Sequence, residues 1–318
     1  MKRAVIKSIF LVVLLSGIQN EIRASETYTQ IVVVKTKDLP QYHQSYIGFI
    51  NTLHKSGITS FERVINLDKS SFSLEKLESE IYYYQPDLIH TIGTEATLEI
   101  SRRISDIPII FSMVLNPEAQ GIIKNAINIS NLYGVALDPP IEDQLSTVHR
   151  YFPDIRKIAI LWNPKYDSIF ISKARKLAKE HSIRLNTEEL ESEQYIETVV
   201  GTLFPSNELL WILPNPYTMS YLSMKRVFKY CNFNDFPVFG ISEYHVEDGA
   251  LLGLRADYED AGKQAGELAV KIIRNEKISN PHILQPRNFK VFINKTTAQK
   301  MGFSIPANFL NQAERIYE

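Results

Sequence analysis

The sequence has very little cysteine. Its single cysteine, Cys231, excludes a disulfide framework and any metal site built from several thiolates. The formal net charge is only −1, so there is no electrostatic reason to expect nucleic acid or an anionic membrane as a partner. The composition, with 44% hydrophobic and 22% charged residues, is that of a globular protein, and 318 residues suffice for about two domains.

The motifs of common catalytic and cofactor sites are also missing. Gly240 and Ser242 begin a nucleophile-elbow pattern, but Tyr244 stands where the second glycine is required. There is no Walker-type phosphate loop and no G-x-G-x-x-G, and the histidines lack the i, i+4 spacing of a metal-binding helix. We therefore expect no enzyme activity, no cofactor and no metal.

The N-terminus has the layout of a secretory signal peptide. Basic residues within the first seven positions precede an apolar run at residues 9–18, and the small residue Ala24 follows. This run is too short to cross a hydrocarbon core of about 30 Å, and no later stretch reaches the roughly 18 apolar residues of a membrane span. We expect residues 1–24 to be removed and the mature chain to be periplasmic; the alternative is an uncleaved N-terminal anchor.

From residue 30 onward, short apolar runs alternate with longer amphipathic stretches. In the first half this pattern predicts strands at residues 31–34, 61–67, 87–91 and 108–111, separated by helices at 39–55, 71–84 and 94–104. It starts again at residue 157, with strands at 157–162, 183–185, 208–213, 236–239, 251–254 and 289–293 and helices between them. The sequence therefore predicts an α/β protein with two doubly wound parallel-sheet lobes joined by a multi-strand hinge.

The elements after residue 254 belong to both lobes, so several chain crossings are expected. We assign residues 25–138 plus 247–281 to the first lobe and residues 139–246 plus 282–318 to the second. The hinges are then expected near residues 137–139, 245–247 and 280–281.

Polar residues directly after the strands are the candidate ligand residues, because open α/β sheets bind ligands outside the carboxyl ends of their strands. After the third strand, Gly93 permits a tight turn. Thr94 then offers a hydroxyl and a first-turn N–H to a carboxylate, unless it only caps its own helix. The other strand ends carry further polar candidates: Asn116, Asn163, Asn215 and Ser242.

Arg255 and Asp257 are two residues apart and share a face on extended backbone. Facing a cleft, they would suit a zwitterionic ligand, with the guanidinium taking its carboxylate and the aspartate its ammonium group. The alternative is a mutual salt bridge at the surface.

A resemblance to a known family rests on four stretches: PDLIHTIGTEAT, DIPIIFSMVLNPEAQGI, KIAILWNP and FPVFGISEYHVEDGALLGLRADYEDAGKQAGELAVKII. In this order, they resemble the ABC-transporter substrate-binding proteins of the tryptophan/tyrosine type, which have the type I periplasmic binding protein fold. The resemblance runs from about residue 30 to 306. It implies two lobes with three crossings, a small organic ligand in the cleft, and a closed form that docks on an inner-membrane permease.

The resemblance also implies roles for the candidate residues. Gly93 and Thr94 would take a ligand carboxylate, Asn116 and Asn163 would line the mouth, Asn215 and Ser242 would come from the second lobe, and Asp257 would meet an ammonium group. Arg255 and Met113 depart from the family at pocket positions. These departures point away from an unmodified aromatic amino acid and leave a more acidic ligand, or a peptide-like or otherwise modified amine, open.

Three functions remain at this point. The first is an exported receptor that captures an amino acid or a similar solute for an ABC importer. The second is a periplasmic sensory protein that presents its ligand-bound form to a membrane signalling partner, and the third is an exported α/β hydrolase. We expect a monomer, without a nucleic-acid partner and without membrane insertion after signal cleavage.

Overall fold

A computed structural model describes residues 28–68, 73–279 and 282–318, so the expected signal peptide lies outside the described residues. The strands are β1 (Thr29–Lys35), β2 (Ser60–Asn66), β3 (Leu88–Ile92), β4 (Ile109–Val114), β5 (Leu132–Ala136), β6 (Lys157–Trp162), β7 (Arg184–Glu189), β8 (Leu209–Trp211), β9 (Val238–Gly240), β10 (Leu252–Ala256), β11 (Ile283–Leu284), β12 (Phe289–Asn294) and β13 (Arg315–Tyr317). The helices are α1 (Pro40–Lys55), α2 (Leu77–Tyr83), α3 (Thr94–Ser101), α4 (Ile122–Asn125), α5 (Ile141–Tyr151), α6 (Pro164–Glu180), α7 (Ile196–Leu203), α8 (Tyr221–Phe233), α9 (Glu243–Glu247), α10 (Tyr258–Ile273), α11 (Lys295–Lys300) and α12 (Ala307–Leu310).

Two separate sheets confirm the predicted pair of α/β lobes. The first has the strand order β11-β5-β4-β3-β1-β2, with parallel neighbours throughout. The second has the order β13-β12-β10-β9-β8-β6-β7 and is parallel except for the antiparallel pair β10 and β12. Among the described helices, none has both the length and the apolar character needed to cross a membrane.

The central strands of each sheet are buried on both faces, which explains their apolar runs. In β1, Ile31 and Val33 enter one buried cluster, whereas Val32 and Val34 enter the cluster on the opposite face. The strand β6 divides its side chains between two clusters in the same way. Because successive side chains point to opposite faces, a strand buried on both sides is apolar at most positions instead of alternating with polar residues.

Helix α10 follows β10 of the second sheet but packs along α1 of the first lobe. A Cβ atom at Gly262 would lie 1.9 Å from the backbone oxygen of Ser45, and one at Gly48 would lie 2.1 Å from the backbone oxygen of Glu259. Only glycine allows backbones to approach this closely. The glycines therefore fix α10 to the first lobe, directly beside a crossing between the lobes.

The chain crosses between the lobes at residues 137–140, at residue 257 and at residues 285–288. The first crossing covers residues 137–139, where we expect a hinge; that these residues act as a hinge stays a prediction. The expected boundary at residue 247 moves to residue 257, because β10 pairs with β9 and β12 of the second sheet. Residues 245–247 belong to helix α9 rather than to a crossing, and β11 pairs with β5 of the first sheet. The hinge expected at residues 280–281 lies outside the described residues.

Candidate functional site

A cleft of about 1420 Å³ lies between the two lobes, and the carboxyl ends of strands from both sheets form its walls. The predicted site residues that line it are Thr94, Met113 and Asn116 from the first lobe and Ser242 and Arg255 from the second. Gly93, Asn163, Asn215 and Asp257 do not line this cleft.

Thr94 is the first residue of α3 and does not cap this helix. The capping position is Gly93, at φ 97°, and no side chain there closes the helix end. A Cβ atom at Gly93 would lie 2.6 Å from the hydroxyl of Tyr42, so the turn requires glycine. The Ala96 N–H donates to Thr36 Oγ1 at 3.0 Å. Within the described chain the Thr94 hydroxyl has no hydrogen-bond partner, so it remains available to a ligand at the positive end of the helix dipole.

The end of β4 has an irregular backbone. The pairing of β4 with β5 shifts register between Phe111 and Val114, and Met113 lies there at φ 61°. Asn116 follows at φ 44°, and its Oδ1 accepts a hydrogen bond from the Ala119 N–H at 3.1 Å. Bulges of this kind redirect side chains, and strained backbone is often found at binding sites. Here the irregularity places Met113 and Asn116 on the cleft wall.

Arg255 places a positive charge, fixed by neighbouring side chains, on the second-lobe wall. Its Nε donates to Glu243 Oε2 at 2.7 Å, and its guanidinium carbon lies 4.0 Å from the ring centre of Tyr258 and 4.9 Å from that of Phe292. Burial raises the pKa of Tyr258, so this ring is a neutral phenol. Stacking and one ion pair together hold the guanidinium in place, and its Nη2 has no acceptor among the described residues.

Ser242 lies close to Arg255 in sequence and caps α9. Its Oγ accepts the His245 N–H at 3.3 Å, a long contact that leaves the hydroxyl proton free for a ligand. Burial lowers the pKa of His245 to about 4, so this neighbour is neutral near pH 7.

Asp257 does not form the salt bridge with Arg255 that the sequence offered, and its role towards a ligand ammonium group stays a prediction. Its Oδ1 accepts the Asp260 N–H at 3.1 Å and so caps α10, and its Oδ2 lies 3.5 Å from Lys290 Nζ. Arg255 pairs with Glu243 instead of with Asp257. The two side chains are therefore not brought together, and the carboxylate of Asp257 is engaged at the crossing between the lobes.

Asn163 and Asn215 join two loops of the second lobe through a buried carboxylate. Asp167 Oδ2 accepts the Asn163 N–H at 2.8 Å and the Asn215 Nδ2 at 2.9 Å. The side-chain oxygens of both asparagines accept backbone N–H groups within their own loops. This network fixes the strand ends behind the cleft rather than its surface.

The sequence did not single out Asp138 as a ligand residue, although it lines the cleft. Its Oδ2 accepts the backbone N–H of Asn116, whereas its Oδ1 is buried and has no hydrogen-bond partner in the described part of the chain. Burial raises the pKa of this carboxyl to about 7, against the opposing effects of the backbone N–H groups of Asn116 and of Asp138 itself. Asp138 is the second residue after β5, and recognition of that strand would have placed it among the candidates.

A serine–histidine contact elsewhere in the first lobe does not form a catalytic site. His90 Nε2 lies 3.0 Å from Ser112 Oγ, but both residues are fully buried, and His90 stacks on Phe49 at 3.9 Å. Burial lowers the pKa of His90 to about 3, which makes it a poor base near pH 7. In the three described segments there is also no cluster of His, Cys, Asp and Glu that could hold a metal ion.

Comparison with known proteins gives one family and several relatives. Residues 30–317 match the family described as ABC transporter substrate binding protein. A tyrosine-binding protein of Clostridioides difficile (strain R20291) is 22% identical over 295 residues, which cover 90% of this chain and 85% of the relative.

Solved structures share the fold at low sequence identity. The ligand-free, open structure of a substrate binding protein with adhesive properties from Clostridium difficile has a TM-score of 0.71 at 20% identity, covering 91% of this chain and 99% of that one. The structure of an ABC domain in complex with L-Trp from Streptococcus pneumonia has a TM-score of 0.65 at 18% identity, covering 91% of this chain and all of the other. The match over most of the chain confirms the resemblance seen in the sequence motifs.

Proposed function

The chain belongs to the family of ABC transporter substrate binding proteins, and on this premise we propose that it is an exported receptor for an amino acid or an amino-acid-like solute. The relatives are binding proteins, not enzymes. In this proposal the solute binds between the lobes and is passed unchanged to an ABC importer.

The observation that carries the proposal is that polar groups without internal partners face one cleft from both lobes. The Thr94 hydroxyl and the first N–H groups of α3, at Thr94 and Glu95, suit a carboxylate on the first-lobe wall, whereas the Ala96 N–H is already bonded to Thr36. On the second-lobe wall, Arg255 Nη2 and the Ser242 hydroxyl can donate hydrogen bonds to the ligand. A ligand that touches both walls binds the closed form better than the open form and so shifts the equilibrium towards closure.

Export and docking complete the proposal. The expected signal peptide at residues 1–24 would deliver the mature chain to the periplasm, where the closed form would dock as a monomer on an inner-membrane permease. The alternative partner is a membrane signalling protein. Co-purification of the closed protein with the permease encoded beside it would support the importer role, and capture of a signalling receptor instead would contradict it.

A thermal-shift screen of residues 25–318 tests the binding function. The panel contains amino acids, small peptides, amines and sugars, each with the protein first freed of bound ligand by unfolding and refolding. A ligand at 100 times its Kd adds about 2.7 kcal/mol to the free energy of unfolding, which is a shift of several degrees. We expect a shift with at least one amine-bearing acid. A shift with sugars only, or turnover of generic esterase, phosphatase or peptidase substrates, would contradict the proposal.

A further inference from the structure

Asp138 is a cleft carboxylate with an incomplete set of hydrogen bonds. One of its oxygens accepts the backbone N–H of Asn116, and the other is buried without a donor in the described part of the chain. A buried acceptor without a donor lowers the stability of the fold, so a functional role is expected for such a group. Asp138 lies on the cleft wall, where a bound ligand can provide the missing donor.

The charged groups of the cleft do not provide this donor. Asp138 forms no ion pair within the described residues, whereas Arg255 on the opposite wall is already paired with Glu243. The other titratable side chains that line the cleft, from both lobes, are Lys37, Glu95, Glu118, Glu142, Lys165, Lys173, Lys176, Glu180 and His245, together with the phenols of Tyr42, Tyr166, Tyr244 and Tyr258.

The sheet order sets the distance between Asp138 and the carboxylate position. Asp138 follows β5 and Thr94 follows β3, and β4 lies between these strands. Neighbouring strands are about 4.8 Å apart, so the two strand ends are separated by roughly 10 Å. The ammonium and carboxylate groups of an α-amino acid are attached to one carbon and cannot reach both positions.

We propose that Asp138 binds a positively charged group of the ligand that lies remote from the ligand's carboxylate, so that the preferred solutes are lysine-like amino acids or small peptides. This inference rests on the proposed function and names its substrate class. Asp138 then provides the charge partner, Thr94 the carboxylate contact, and the length of the ligand between them determines specificity.

The protonation of Asp138 adds a pH dependence to this binding. Burial raises the pKa of its carboxyl to about 7 in the free protein. A cation favours the ionised form, so binding below pH 7 must also remove a proton, and the affinity falls as the pH is lowered. A ligand without the remote charge lacks this dependence.

The experiment is calorimetric titration of refolded residues 25–318 with L-lysine, Nα-acetyl-L-lysine, Nε-acetyl-L-lysine and L-tyrosine. We expect the first two to bind and the loss of the remote charge in Nε-acetyl-L-lysine to weaken binding at least tenfold. Asp138→Asn should weaken L-lysine binding at least tenfold, whereas the matched variant Asp143→Asn, on α5 outside the cleft, should stay within about threefold. Between about pH 8 and about pH 6, wild-type affinity for L-lysine should fall several-fold, and that for Nε-acetyl-L-lysine should not change.

The wild-type pH comparison does not depend on the folding of any variant. L-Lysine affinity that is equal at both pH values, or equal binding of L-lysine by wild type and a folded Asp138→Asn, would overturn the role of Asp138. Tight L-tyrosine binding that ignores Asp138→Asn would overturn it while leaving the proposed function intact. If no amino acid or peptide binds the wild type in either assay, the proposed function fails, and this inference fails with it.

Discussion

At the scale of single residues, Thr94 has a hydroxyl at the start of α3 that is not used to cap this helix. Because Gly93 adopts φ 97° and carries no side chain, the capping position of α3 supplies no side-chain hydrogen bond, and of the first three N–H groups of this helix only that of Ala96 is satisfied among the described residues, by Thr36. The hydroxyl of Thr94 has no partner in the described chain and lines this space.

Thr94→Val should therefore weaken ligand binding without unfolding the protein. The loss of one hydrogen bond to a charged group corresponds to about 1.5–3 kcal/mol in the free energy of binding, measured by calorimetry. Thr202→Val is the matched control, because Thr202 is exposed on α7, away from the cleft. Equal losses in the two variants would show that Thr94 does not contact the ligand.

His90 provides a separate test of burial. Its pKa is lowered from the ordinary 6.5 to about 3 by burial and then by nearby Lys35, so the unfolded chain binds one more proton than the folded chain between these pH values. Stability contributed by this group is present above pH 6.5 and is lost as the pH falls towards 3.

Replacement of His90 by glutamine removes the imidazole that binds this extra proton in the unfolded chain. In urea unfolding between about pH 6 and about pH 4.5, His90→Gln should reduce the pH slope of the unfolding free energy by up to about 1.4 kcal/mol per pH unit. His149→Gln, at an exposed position of α5, should leave the slope unchanged. A slope in His90→Gln equal to that of wild type would mean that His90 is not held neutral.

The sequence placed the right residue types at the right strand ends but not their partners. Arg255 and Asp257 were recognised from their spacing, yet Glu243 and Lys290, which pair with them, come from other elements. Such pairings depend on tertiary packing, which a local pattern does not contain. The sequence therefore predicted the location of the cleft better than the side chains that face it.

At the scale of elements, the strongly periodic segments were predicted and the weak ones were missed. The β3, β4 and β6 strands are mostly apolar segments of five or six residues, and the long helices α1, α6 and α10 have clear apolar faces. The missed strand β5 has the sequence LYGVA. Its central residue must be glycine, because a Cβ atom at Gly134 would lie 2.5 Å from the ring of Phe111. That glycine weakened the strand signal, and Asp138, which follows β5, was missed as a ligand residue.

Gly262 tests the contact between α1 and α10. A methyl group there would clash with the backbone of Ser45, so Gly262→Ala should separate the helices and lower the unfolding free energy by about 2 kcal/mol or more, measured in urea. Gly201→Ala on α7 is the control, since its Cβ would lie 3.4 Å from the Tyr230 hydroxyl. Alanine should be neutral there or stabilise by up to about 1 kcal/mol. No stability difference between the variants would contradict the described packing.

At the scale of the whole molecule, the two-lobed architecture followed from the repeated alternation of strands and helices. The crossings were harder to predict from the sequence. Only one residue separates β10 from α10, yet β10 belongs to the second lobe and α10 packs on the first. The chain therefore passes between lobes within two residues, at Asp257. Interactions of Arg287 with Asp260 and Glu267 hold a second crossing against α10. Motion about these short segments is what the proposed closure requires.

The most direct test measures the distance across the cleft. Spin labels at Glu118→Cys and Lys173→Cys would report from opposite lobes, and the native Cys231 is buried with a thiol pKa raised to about 12, so it would not compete for the label. Distances are measured by pulsed electron spin resonance on refolded protein, without and with a mixture of the standard amino acids at millimolar concentration. We predict a shorter distance in the presence of the mixture. An unchanged distance distribution would contradict a receptor that closes on an amino acid.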